Sequence, residues 1–172
     1  MAYADAQHDG QRRRVDKAPF ILHPLEVASL LQEVGGCDEL VAAGVLHDTI
    51  EKTTASASDL RKRFGRRVAE LVLAVTEDKR IKDYAKRKAA LREQVARADD
   101  EALMLFAADK LAKARELRGR ATPPPRRRLT HYRQSLKLLE ARMPDFALTS
   151  QLAAELKRTP EAVGKTAPTD AR

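Results

Sequence analysis

Residues 20–53 read FILHPLEVASLLQEVGGCDELVAAGVLHDTIEKT; the two histidines in this stretch, His23 and His47, stand 24 positions apart, and the second is followed directly by Asp48. The apolar residues Leu40, Val41, Ala43, Gly44 and Leu46 predict a buried helix that carries His47 and Asp48, their side chains leaving the axis about 100° apart. Two such ligands can straddle one ion. Pro24 suits the first position of a helix, where its missing N–H would be unpaired in any case, so His23 belongs at a helix start with a restricted backbone. Imidazole and carboxylate together suit first-row divalent ions such as manganese, iron or zinc rather than the all-oxygen shell of calcium. A fourth ligand has to come from farther along the chain.

At 172 residues the chain fits one domain, large enough to bury a core without disulfide or metal staples. Ala, Leu, Arg, Lys and Glu dominate, aromatic residues make up 4%, and alternating β-branched runs are absent, so the expected class is all-α: a single compact multi-helix fold with a central buried metal-binding helix pair. Cys37 is the only cysteine, which excludes an intrachain disulfide and fits a reducing compartment. No stretch is apolar over the roughly 18 residues of a membrane span, and the first residues lack the apolar centre of a signal peptide. The expectation is a cytoplasmic protein without a membrane partner. The net charge of +8, from 33 Lys and Arg against 25 Asp and Glu, favours an anionic partner, and charge alone leaves open nucleic acid, a membrane surface or a phosphorylated metabolite. Three Tyr and four Phe form no stripe interleaved with basic residues, so nucleic acid is not expected.

Along the chain, residues 2–9 predict a short helix, and the loop after Gln11 brings Arg13 and Arg14 to within nine residues of His23, close enough to clamp a phosphate. A helix over 24–34 is stopped by Gly35-Gly36, and Asp38 is expected to cap the next one. Glu51 follows His47 by four residues and Asp48 by three, so it shares their face, within reach of a water beside the ion. Ser56 or Ser58 starts a helix that Gly65 ends, and Val68, Leu71, Val72 and Val75 form the inner face of the following one. Residues 77–101 read as a loop and then an exposed helix over 84–98. That segment would present Lys79, Arg80 and Lys82 near the site, while a solvated face is at least as good a reading for Lys86 to Lys88.

The run Ala102 to Ala108 is apolar on every side and predicts a central helix with Asp109 in its middle. Aspartate is seldom buried unless it is paired or bound to metal, which makes Asp109 the fourth ligand, with an Asp–Arg pair as the competing reading. Lys113 lies one turn farther and points toward the same cavity. The TPPPRRR segment at 122–128 is a rigid break, and a helix over 126–142 turns Leu136, Leu139 and Met143 inward and sets Arg128 and Tyr132 one turn apart. A last helix over 148–157 closes a domain of residues 1–158, and 159–172 are expected to form a disordered tail.

The motifs H…HD…D at His23, His47-Asp48 and Asp109 form the metal signature of the HD phosphohydrolase superfamily. PFILHPLEVA, AAGVLHDTIEKT, FGRRVAELVLAVTEDK and AADKLAKARELR resemble the hydrolase domain of RelA/SpoT homologues. In length and in its VTEDK and ADKL segments the chain is similar to the small stand-alone alarmone hydrolases of the metazoan SpoT homologue type. The resemblance covers roughly residues 3–143. It implies a helical HD fold binding one manganese ion through His23, His47, Asp48 and Asp109, and removal of pyrophosphate from the 3′ position of ppGpp and pppGpp. It also implies that Glu51 positions the attacking water, that Arg13 and Arg14 touch substrate phosphates, and that Arg128 and Tyr132 line the nucleoside pocket. Two positions depart from the family: Lys52 stands where a second carboxylate pairs with Glu51, and Lys113 where Asn is usual. Both add positive charge beside the metal and are counted as substrate-binding candidates.

Three readings follow. The first is a manganese-dependent 3′-pyrophosphohydrolase of guanosine alarmones. The second is an HD-domain phosphatase acting on another phosphorylated nucleotide, such as NADPH. The third is a catalytically weakened nucleotide-binding protein. In each the partner is a small phosphorylated nucleotide.

Overall fold

The computed structural model describes residues 1–118 and 123–159, and among them nine helices and no strand. They are α1 (Ala2–Gln7), α2 (Leu22–Glu33), α3 (Asp38–Leu46), α4 (Thr49–Lys52), α5 (Ala57–Val75), α6 (Tyr84–Ala96), α7 (Asp100–Arg118), α8 (Arg126–Arg142) and α9 (Ala147–Arg158). The fold is organised around α7, which packs against α2, α3, α5, α6, α8 and α9. Its sequence permits this because Leu103, Leu105, Phe106, Ala107, Ala108, Leu111, Ala112 and Ala114 point in all directions, and each is fully buried. A helix apolar on all sides has no face to give to water. No helix among the described residues is long and apolar enough to cross a membrane.

Helices α2 and α3 form a tight hairpin. Gly35 has a φ of 77°, and the Gly36 and Gly35 amides donate to the carbonyls of Leu31 at 2.9 Å and Gln32 at 3.0 Å, the double closure of a Schellman ending. Gly44 then lets α3 approach α2: a β-carbon there would lie 2.9 Å from Leu31 Cδ1 and 3.1 Å from Ala28 Cα. Gly44→Val is therefore expected to lose about 1–3 kcal/mol in urea unfolding. It should also weaken metal uptake, because His47 is one turn farther along. A wild-type unfolding midpoint would show that the interface has slack.

Several local details differ from the sequence expectations. Pro24 is the third residue of α2, not its first, but still in the turn whose amides lack partners. Asp38 does not cap α3: the capping position is Cys37, without a side-chain bond, and Asp38 contributes only its charge to the first turn. His47 and Asp48 are not carried within one helix, because α3 ends at Leu46 and α4 begins at Thr49, leaving the pair at the junction. As expected, Ser56 caps α5, through a reciprocal box with Asp59, and Gly65, non-helical with a φ of 88°, ends the first of the two helical stretches that Ala57–Val75 joins across a kink. Helix α6 stops at Ala96 rather than 98 and buries Leu91 and Val95. Leu139 is fully buried, while Leu136 and Met143 are half-buried. Of the tail expected over 159–172, Thr159 is buried and donates to the Glu155 carbonyl at 2.9 Å. The remaining tail positions, and Thr122, lie outside the described residues.

Candidate active site

Three parts of the chain meet at one buried point: the first turn of α2 brings His23, the α3–α4 junction brings His47 and Asp48, and the middle of α7 brings Asp109. None of the four is more than 4% exposed. His23 Nε2 lies 3.2 Å from Asp109 Oδ1 and 3.6 Å from Asp48 Oδ2, and His47 Nε2 lies 3.4 Å from both of those oxygens. Ligand atoms around a single ion at ~2.1 Å stand about 3–3.5 Å apart, which is the spacing seen. The donor set of His23, His47 and Asp109 falls within a 4.8 Å sphere of mutual distances, and Asp48 stands beside it. His47 Nδ1 donates to the Gly44 carbonyl at 2.8 Å, so its proton is committed there, and buried Nε2 has no hydrogen-bond partner. An unpartnered imidazole nitrogen between two carboxylates is chemically suited to a divalent cation.

The charges around this point oppose the effect of burial. Burial alone would raise Asp48 and Asp109, but Lys113, His47 and Lys52 hold Asp48 well below the usual carboxylate range, and Lys110, Lys113 and the two imidazoles do the same for Asp109. Burial would lower His47, yet the two carboxylates raise it to about 9. The lysines make direct contacts. Lys52 Nζ lies 2.6 Å from Asp48 Oδ2 and 4.4 Å from the centre of the Phe20 ring, and Lys113 Nζ lies 2.6 Å from Asp109 Oδ1. Thus Lys52 and Lys113 both turn to the candidate ligands, not only to the cavity.

A cavity of about 590 Å³ opens beside His23. Every residue expected to touch substrate borders it: Arg13, Arg14, Lys52, Lys113, Arg128 and Tyr132, together with Glu51. The arginine loop is held in place by backbone and side-chain bonds. Arg12 and Pro19 form an isolated bridge, Phe20 N–H donates to the Gln11 carbonyl at 2.9 Å, and Gln11 Nε2 donates to the Lys52 carbonyl at 3.0 Å. Basic side chains outnumber acidic ones on the wall, so the cavity is built for an anion.

Some expectations for the charged segment do not hold. Lys79 does come near the site, donating to the backbone carbonyl of Glu51, but Arg80 points outward and pairs with Asp78, and none of Lys79, Arg80 and Lys82 lines the cavity. Lys88, read as readily for solvent, instead lines the cavity and pairs with Glu77. Sequence reasoning also missed Lys110, which is 4% exposed and bonded to Asp109 Oδ2. The signal was present: the burial argument applied to Asp109 in AADKLA holds for the adjacent lysine. Glu116 and His131 were missed as well. His131 is buried on the cavity wall and accepts a bond from Arg92 at 3.0 Å; burial holds it neutral, and nothing local in the sequence marks it.

A family profile described as HD domain matches residues 1–138. A guanosine-3′,5′-bis(diphosphate) 3′-pyrophosphohydrolase, MESH1, of Xenopus tropicalis is 36% identical over 124 residues, covering 70% of this chain and 68% of that protein. The enzyme of the same name from Aquifex aeolicus is 37% identical over 105 residues, 60% of this chain but only 15% of that much longer protein. A solved structure described as a metazoan ortholog of SpoT that hydrolyzes ppGpp superposes with a TM-score of 0.80 at 28% identity, covering 91% of each chain.

Proposed function

The chain belongs to the HD-domain family, and from that premise we propose that it is a metal-dependent 3′-pyrophosphohydrolase of guanosine 3′,5′-bis(diphosphate), the activity for which its small relatives are named. The observation that carries this reading is the convergence of His23, His47, Asp48 and Asp109 at the edge of a basic cavity. In this proposal those four side chains hold one ion; a mixed imidazole–carboxylate set without thiolate suits first-row divalent ions, among which the resemblance to the small alarmone hydrolases implies manganese. A divalent ion there would lower the pKa of a water and offset charge on the phosphoryl oxygens. Glu51, on the cavity wall, accepts the proton of the attacking water. Arg13 and Arg14 hold the 3′-pyrophosphate, while Arg128 and Tyr132 hold the nucleoside. Pyrophosphate and GDP leave. Residues 1–158 form the domain that does this, in the cytoplasm, on a free nucleotide.

Incubation of the pure protein with manganese and ppGpp is expected to release GDP and pyrophosphate; no turnover with any divalent metal would sink the proposal. The ammonium groups of Lys52 and Lys113 beside the cluster favour a second reading, a phosphatase on a differently phosphorylated nucleotide such as NADPH. A nucleotide panel scored for phosphate against pyrophosphate separates the two. Tight binding without product would leave a nucleotide-binding protein.

Metal uptake should be linked to pH. Below about 9 the His47 imidazole carries a proton that has to leave before Nε2 can bind an ion. Affinity is therefore expected to rise with pH, about tenfold per unit, and to level off above that value. Calorimetric titration with manganese at pH 7, in two buffers of different ionisation enthalpy, should show about one proton released per ion. A binding enthalpy independent of buffer would contradict this.

A further inference from the structure

Glu116 is not among the residues to which the proposed chemistry gives a role, yet it stands between two that are. It follows Asp109 by seven residues on α7, two turns to within about 20°, so both carboxylates leave the helix on one side. Its Oε1 lies 3.4 Å from His23 Nδ1 and 3.8 Å from Arg13 Nη1. We propose that Glu116 is a positioning residue whose single carboxylate ties the metal ligand His23 to the phosphate clamp Arg13.

The physical argument starts from the tautomer. His23 is 1% exposed, and its Nε2 faces Asp48 and Asp109. To offer Nε2 to an ion, the ring has to carry its proton on Nδ1, and that buried N–H needs an acceptor. Nδ1 makes no well-aligned hydrogen bond, and among the described residues Glu116 is the one carboxylate within 4 Å of it. His47 solves the same problem with the Gly44 carbonyl at 2.8 Å, an anchor that no side-chain change removes. The anchor of His23 is removable. Glu116 also helps hold Arg13, whose guanidinium is otherwise bound to Asp16. Movement of this carboxylate would therefore disturb ligand and clamp together. The neighbouring Glu26 carboxylate is half-buried and lies 3.7 Å from Arg115 instead, which makes it a control for charge without contact.

The inference rests on His23 being a ligand. The test uses the full chain with Glu116→Ala, Glu116→Gln and Glu26→Gln, reading manganese affinity by calorimetry and the His23 Nδ1 signal by ¹⁵N NMR in zinc-loaded protein, since without metal Nε2 bonds the Asp109 carboxylate at 3.2 Å. Glu116→Ala is expected to weaken manganese binding by about 10–100-fold and to shift the His23 Nδ1 signal. Glu116→Gln keeps an acceptor oxygen and should lose less than about tenfold, while Glu26→Gln should leave both readouts unchanged. With substrate, Arg13→Ala and Glu116→Ala should each raise KM, and the double variant should raise it by less than the product of the two. Unchanged manganese affinity in folded Glu116→Ala, or an equal loss in Glu26→Gln, overturns the proposal. If Glu116→Ala does not fold, an unchanged Nδ1 signal in Glu116→Gln overturns it. A wild type that takes up no manganese removes the metal reading and this inference together, whereas the Glu116 outcomes remove this one alone.

Discussion

Asp109→Asn is expected to leave the protein folded, without stoichiometric metal, and with hydrolysis down by more than ~100-fold, beyond the scale on which supporting residues around a metal act. Asp109 Oδ1 lies 3.2 Å from the His23 imidazole and 3.4 Å from that of His47, so its loss opens the donor set between them. Asparagine is the informative substitution because of the lysine next to it. Lys110 is 4% exposed and rests its ammonium on Asp109 Oδ2, while Lys113 takes Oδ1. Asp109→Ala would leave a buried ammonium with nothing opposite, a change that costs about 3–5 kcal/mol, so lost metal and lost fold would be confounded. Metal content after dialysis, turnover and the urea midpoint are the three measurements. An Asn variant that keeps one ion per chain would mean that Asp109 is not a ligand.

Lys52→Asp is the second large effect, and its direction distinguishes two roles. The ammonium of Lys52 lies on Asp48 Oδ2 at 2.6 Å, where it competes with an ion for that oxygen. Replacing it by the carboxylate that the family resemblance implies at this position removes the competitor and would give Glu51 a partner for orienting water and taking its proton. Since a positioned acid–base group is worth about 10²–10⁴-fold, alarmone hydrolysis is expected to rise by at least ~10-fold, with tighter manganese binding. A fall in activity with weaker nucleotide binding would show instead that Lys52 leaves Asp48 for substrate phosphate.

The residues of this site were legible in the sequence to an unequal degree. His23, His47, Asp48 and Asp109 were visible because each is a polar group set in an apolar run, and such groups are buried only with a purpose. The helices were legible for a related reason: Val68, Leu71, Val72 and Val75, or the all-round apolar run before Asp109, repeat with the period of the α-helix. The charged segment was misread because its pattern is weak. Lys86 and Lys88 look alike in sequence, yet Lys86 is exposed and Lys88 is turned into the cavity by Glu77, ten or so residues away on a loop.

By itself, then, the sequence determined the all-helical class, the burial of α7 and the identity of the four metal-ligand candidates, since these depend on periodicity and on the cost of burying charge. Tertiary structure alone decided where each charge found its partner. It put Lys52 on Asp48, Lys110 and Lys113 on Asp109, and Glu116 between His23 and Arg13. It also set His47 and Asp48 at the junction of two helices rather than on one. The reason is range: hydrophobic periodicity is read over a few turns of one helix, whereas an ion pair forms between whichever groups the packing of several helices brings within about 4 Å, and nothing in a local pattern encodes that distance.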